Sequence, residues 1–335
     1  MTGKLARILF IAALTAGATT YARYRSDMAK ARADLDRGST IAHTAAGPIE
    51  YAERGEGPAL LMIHGAGGGY DQGLLLADDF GGDLRVVAPS RFGYVRTPIP
   101  PDASPAAQAD AHAALLDFLG IEKAIVAGAS AGAPSAIEFA LRYPGRVSAL
   151  MLLVPRTYHP SQSIGADESA ESQAVLRLVE ASADFPFWLA ARISRRSVVR
   201  FLGVPPQVDA SASEAEKARV SRIIKSILPL SSRVQGIGVD GAADIHAWPL
   251  EQISCPVLII SSEDDLYRTL PGARFTAAHI PGSELHVFKR GGHLMVGQSA
   301  KVRHIVRDFL QRSRGLMSHA HDKPFKAAAA AEPAS

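Results

Sequence analysis

The chain has 335 residues, 47% of them hydrophobic and 21% charged, enough apolar material for a packed core and too much for general disorder. Its net charge of +3 is unevenly placed: residues 1–37 carry +4 and the remainder sums to −1, so the basic balance gives no support to nucleic-acid binding by the body of the chain. The single cysteine, Cys255, excludes an intrachain disulfide and a metal site built on several thiolates, and beside Pro256 and an apolar run it reads as a small buried residue.

At the N-terminus Lys4 and Arg7 precede an apolar run, Ile8 to Ala18, that ends in the A-x-A triplet Ala16-Gly17-Ala18. These are the parts of a secretory signal peptide. The run is shorter than the ~20 residues that span a bilayer comfortably, but extended through Tyr21 and left uncleaved it would tether the chain. Residues 1–37 are therefore set outside the fold as a signal peptide or membrane anchor plus basic arm. The protein is expected to be exported or membrane-tethered, with a cytoplasmic helix as the alternative.

From Thr40 the chain reads strand, turn, strand: Thr40–Thr44, a turn at Ala46-Gly47-Pro48, then Ile49–Glu53. Ala59–Ile63 and Leu84–Ala88 are short continuous apolar runs, the mark of strands buried on both faces. Ala106–Leu119 has helical spacing and stops at Gly120. Strand Ala124–Ala127, helix Ala131–Tyr143 and strand Val147–Val154 follow. Residues 156–248 give helical stretches (Ala170–Ser182, Phe187–Phe201, Ser213–Ile227) and no buried strand. Alternation then resumes with strand Val257–Ser261, helix Gly272–Ile280, strand Glu284–Phe288 and helix Ala300–Ser313. Such alternation implies an α/β fold with a mostly parallel central sheet flanked by helices. Residues 39–155 and 249–313 form its core, 156–248 an inserted helical cap over the sheet's carboxyl edge, and 314–335 a loose tail.

Gly128-Ala129-Ser130-Ala131-Gly132 fits G-x-S-x-G between a strand and a helix. A sharp turn there lifts Ser130 Oγ above the sheet, and Gly128 and Gly132 allow strand and helix to approach closely. A serine hydroxyl needs a base. Gly291-Gly292-His293 lies on a loop between the last strand and last helix, whereas His286 and His304 lie within a strand and a helix, so His293 is the candidate. Its acid partner comes from Ser262-Glu263-Asp264-Asp265: Asp265 is the first choice and Asp264 the alternative. The backbone N–H groups of Ala131 and of Ala66, in His64-Gly65-Ala66-Gly67-Gly68-Gly69, are the candidate oxyanion donors. His64 reads as a structural loop residue.

Together these segments resemble the α/β-hydrolase superfamily over about residues 39–312: HGAGGG (64–69), GASAG (128–132), SSEDD (261–265) and GGH (291–293), in that order. APSRFGYVRTPIP (88–100) also looks like the post-strand loop of many members, with Ser90 where an aspartate is common. Ser262 stands where glycine is usual before the acid, which keeps Asp264 in play. Ser130 argues against the related epoxide hydrolases and haloalkane dehalogenases, which place an aspartate at the elbow.

The resemblance implies a serine hydrolase acting on a small carboxylic ester through an acyl-enzyme, with no metal or organic cofactor and no nucleic-acid partner. A C–C bond hydrolase or a cofactor-free perhydrolase would use the same triad, and a non-catalytic binding protein would usually lack part of it. In the cap, Phe185, Phe187, Trp188 and Phe201 read mainly as packing. Arg192, Arg195, Arg196 and Arg200, placed on one helix, read as a solvated face, with lipid headgroups or an acidic substrate as the sharper alternative.

Overall fold

The computed structural model describes residues 2–81, 83–161, 177, 181 and 183–321. Eight strands form one sheet: β1 (Thr40–Thr44), β2 (Gly47–Arg54), β3 (Ala59–Ile63), β4 (Arg85–Pro89), β5 (Ala124–Ala129), β6 (Val147–Leu153), β7 (Val257–Ser262) and β8 (Glu284–Phe288). Their order is β1-β2-β4-β3-β5-β6-β7-β8. β1–β2 and β2–β4 pair antiparallel, and every other pair is parallel.

The central strands are apolar throughout because both faces are covered. On one face pack α3 (Pro105–Phe118), α4 (Ala133–Arg142) and α10 (Leu270–His279). On the other pack α2 (Tyr70–Ala77) and α11 (Ser299–His321). Ser104 caps α3, accepting from Ala107 N at 3.2 Å, and Pro105 takes the first helical position, where its missing N–H costs nothing. Between β6 and β7 lie α5 (Asp184–Ile193), α6 (Arg195–Phe201), α7 (Pro206–Ala210), α8 (Glu214–Ser226) and α9 (Val234–Ala242). The helix expected over 170–182 falls almost wholly outside the described residues. Residues 322–335 of the expected tail do so too, although α11 runs past residue 313 to His321.

Two expectations are corrected. The stretch 187–201 is not one helix but two, broken at Ser194 (φ −138°), so the four arginines do not form one face. Arg192 pairs with Asp27 at 2.6 Å and Arg195 with Asp209 at 2.7 Å. Nor is 1–37 outside the fold. It is a single helix, α1 (Thr2–Arg37), whose second half buries Met28 among Phe187, Trp188 and Val198, and Leu35 against Tyr70 and Ala88. Charges spaced along that half concealed an apolar stripe that the insertion and the sheet core together complete.

Candidate active site

Ser130 stands where β5 passes into a single 3-10 turn, Ser130–Gly132, and then α4. Its φ is +49°, a left-handed conformation that a non-glycine residue adopts only when its surroundings impose it. Tight packing imposes it: a methyl on Gly132 would meet His64 O at 2.6 Å, and one on Gly128 would meet Ala136 Cβ at 2.8 Å. The Ser130 carbonyl is tied down by Arg156 N at 3.0 Å. Ala131 N–H lies at the start of the helical segment, among the amides that have no intrahelical acceptor.

The loops after β7 and β8 meet each other at the edge of the sheet where β5 also ends. His293 Nδ1 lies 2.9 Å from Asp265 Oδ2, in a pair almost sealed from solvent. The Asp265 carboxylate also accepts from Thr269 Oγ1 (2.5 Å) and Tyr267 N (2.9 Å). Burial pushes its pKa up, but the His293 charge and these hydrogen bonds outweigh burial, and the net shift is downward. An ionised Asp265 orients the Nδ1–H tautomer and leaves Nε2 as the basic nitrogen. Asp264 takes a different post: it accepts from Gly292 N (2.8 Å) and Gly291 N (3.3 Å), and so fixes the loop that carries His293.

Residues 64–69 follow β3. Gly65 N donates to Gln72 Oε1 (3.1 Å), Gly67 N to Tyr94 Oη (3.3 Å) and Gly68 N to Gly65 O (3.3 Å). Ala66 is the exposed residue of the segment, and among the described residues its amide makes no such bond. His64 is fully occupied. Its Nε2 accepts from Arg91 N (3.0 Å) and its Nδ1 faces Gly65 O (2.7 Å). Burial, with the Arg91 charge, holds its pKa well below the ordinary histidine value, so it is a neutral structural ring. Ser90 donates to the buried Glu50 carboxylate (2.8 Å) and accepts from Tyr70 N (3.0 Å), which sets the start of α2 directly after this loop.

Residues of the insertion bond to all three loops, and the sequence did not signal their part. Gly203 O accepts from both His293 N (3.0 Å) and Leu266 N (3.1 Å), so one carbonyl joins the acid and base loops. The Tyr267 ring stands edge-on to the His293 imidazole at 4.7 Å, and its hydroxyl donates to Phe201 O. Arg233, wholly buried, bonds Gly68 O and pairs with Asp71 at 2.9 Å. Arg91 and Tyr94 both bond Asp240 of α9. Of these, only the Asp265-to-Tyr267 turn had a local signal, since aspartates habitually accept from the amide two residues on. Phe187 and Trp188 are buried in a cluster that the insertion shares with α1. Among the described residues no three His, Cys, Asp or Glu side chains are grouped as metal ligands.

The profile of the alpha/beta hydrolase fold family matches residues 58–300. A solved alpha/beta hydrolase fold protein from Nakamurella multipartita superposes with a TM-score of 0.66 at 27% identity, covering 83% of this chain and all of that one. A hydrolase of Bacillus subtilis (strain 168), YcgS, is 28% identical over 263 residues, 74% of this chain and 89% of its own. The 2-hydroxymuconate semialdehyde hydrolase of Pseudomonas putida is 26% identical over 280 residues, 79% of this chain and 92% of its own.

Proposed function

Because the chain belongs to the alpha/beta hydrolase fold family, we propose that it is a serine hydrolase that cleaves a small carboxylic ester through an acyl-enzyme. The observation that carries this reading is the strained Ser130 turn at the end of β5, with the buried His293–Asp265 pair on the loops after β7 and β8, at the same edge of the sheet.

Ser130 Oγ attacks the ester carbonyl carbon while His293 Nε2 takes the hydroxyl proton. Asp265, kept ionised, stabilises the imidazolium that forms. The tetrahedral oxyanion is held by the N–H groups of Ala66 and Ala131, which need no reorganisation as charge develops. His293 returns its proton to the departing alkoxide and leaves the acyl group on Ser130. Water, deprotonated by His293, then attacks that acyl carbon, and the carboxylic acid departs as Ser130 is regenerated. No step draws on a metal or organic cofactor. The insertion serves as the cap, with Gly203 holding the acid and base loops in register. The exposed apolar half of α1 fits a signal or anchor segment, which makes the enzyme exported or membrane-tethered.

The test is hydrolysis of p-nitrophenyl esters of graded acyl length, beside Ser130→Ala. Hydrolysis abolished in the variant supports the reading. A folded wild type inactive on every ester overturns it. The Pseudomonas putida relative favours a second reading, hydrolysis of a C–C bond by the same residues. Turnover of 2-hydroxymuconate semialdehyde faster than of any ester would select it.

A further inference from the structure

We propose that α1 is a retained membrane anchor whose inner half is built into the insertion, so that the insertion is held facing a phospholipid bilayer.

The two halves of this helix differ sharply. In the outer half Leu5, Ile8, Leu9, Phe10, Ile11 and Leu14 are 57–64% exposed. The stretch apolar enough to cross a membrane has no buried residue. Leu5 to Ala22 is 18 residues with one charge, Arg7, near its end. At 1.5 Å per residue it is about 27 Å long, close to the ~30 Å of a bilayer's hydrocarbon layer. A helix satisfies its own backbone in lipid, and Arg7 reaches the headgroups by extending its side chain. Lys4 lies before this span and Arg23 and Arg25 after it, with Tyr21 and Tyr24 at the junction. Basic and aromatic residues in those places suit anionic headgroups and the interface.

The inner half is not a linker. Tyr24 packs edge-on against Phe185 (5.0 Å) and Trp188 (5.6 Å) of α5. Asp27 accepts from Trp188 Nε1 (3.0 Å) and pairs with Arg192, whose guanidinium covers the Trp188 ring. Arg32 pairs with Asp184 at 3.0 Å. Farther on, Leu35 O accepts from Tyr70 Oη (2.8 Å), which fastens α1 to the core beside the 64–69 loop.

Two consequences follow from the continuity of the helix. The A-x-A triplet lies inside an unbroken helix and inside the apolar span, so cleavage there would cut the span itself. And because docked residues begin where the apolar span ends, no slack separates lipid from the insertion. α5, whose Phe185 meets Tyr21 and Tyr24 at the junction and whose Arg192 pairs with Asp27 about one turn farther along α1, therefore lies close to the headgroups, with Ile193 exposed (74%). The cluster that buries Met28 also holds Ile227, which faces Gly67, and Val204, which packs on Gly292. Anchor and candidate-site loops thus share one packed body.

The test uses the full chain and vesicles of phosphatidylcholine and phosphatidylglycerol. Wild type is expected to float with the vesicles, to resist alkaline carbonate, and to keep its N-terminus by intact mass. Leu9→Lys with Leu14→Lys, on exposed side chains, is expected to cut the floating fraction at least about tenfold. With Cys255→Ser as background, a fluorophore on Ile193→Cys should be quenched several-fold more by headgroup-borne nitroxide than one on Glu122→Cys, in the turn before β5 at the opposite edge of the sheet. Recovery of a chain lacking residues 1–18, flotation of the double variant like wild type, or equal quenching at the two labels would each overturn the proposal. None of these readouts depends on Ser130, so their failure is distinct from failure of the hydrolase reading.

Discussion

Ser130, Asp265 and His293 stand on short turns at the ends of β5, β7 and β8, and backbone geometry places them: a strained φ, glycines packed on main chain, an amide two residues from a carboxylate. The helical insertion is held by a few main-chain bonds, such as those to Gly203 O, and by side chains arriving from far along the chain. Arg91 reaches Asp240 across 149 residues, Arg233 grips Gly68 and Asp71, and Asp27 holds Trp188 and Arg192. The contrast teaches that the candidate residues on the parallel sheet are fixed by local rules, while the insertion depends on long-range polar contacts and is correspondingly vulnerable to single changes.

The largest expected effect breaks the edge alone. Ser130→Ala should lower kcat on the best ester by about 10⁴-fold or more while leaving the unfolding midpoint nearly unchanged. Comparable residual turnover would show that another group does the chemistry. The next breaks the cover. Arg91 and Asp240 are 6% and 9% exposed, so Asp240→Ala strands a buried guanidinium and should cost about 3–5 kcal/mol in urea unfolding. Asp78→Ala, which opens the half-exposed Arg54–Asp78 pair, should cost less than about 1 kcal/mol. Equal costs would dissolve the distinction.

Gly203→Ala joins the two regions. Gly203 has φ +76°, and an added methyl would lie 2.6 Å from His293 Cβ, so kcat should fall about ten- to a hundredfold with KM changing less. An unaltered kcat would remove the insertion from the positioning of His293.

The last effect concerns pH. Burial holds His112 down to about 3, so it stays neutral in the fold, whereas in the unfolded chain it takes up a proton near pH 6.5. Its folded pKa is the lower one. The unfolded state therefore binds more protons, and His112 should cost about 1.4 kcal/mol of stability for each pH unit below about 6.5. His112→Gln should flatten that slope between pH 6 and 4 in urea titrations, and an identical slope in the variant would contradict the assignment.

What could be read in advance divides along the same line. Strand and loop positions were legible because apolar runs end in glycine or acidic turns, and the same turns carry the candidate residues. Asp265 could be ranked above Asp264, but the separate task of Asp264, holding the Gly291 and Gly292 amides, is visible only once the two loops meet. Asp240 and Arg91 carry no local mark of their pairing. α2 was missed because it starts directly after a glycine run, and α9 because Gly236, Gly238 and Gly241 weaken its helical pattern. The inner half of α1 looked like a charged arm because Asp27 and Arg32 find their partners only in the insertion.

The most direct test of the central claim is intact-mass and peptide analysis after exposure to a fluorophosphonate, which reacts with an activated serine. The account predicts one adduct, on Ser130, formed by wild type and lost in His293→Ala. No adduct, or one on another residue, would contradict it.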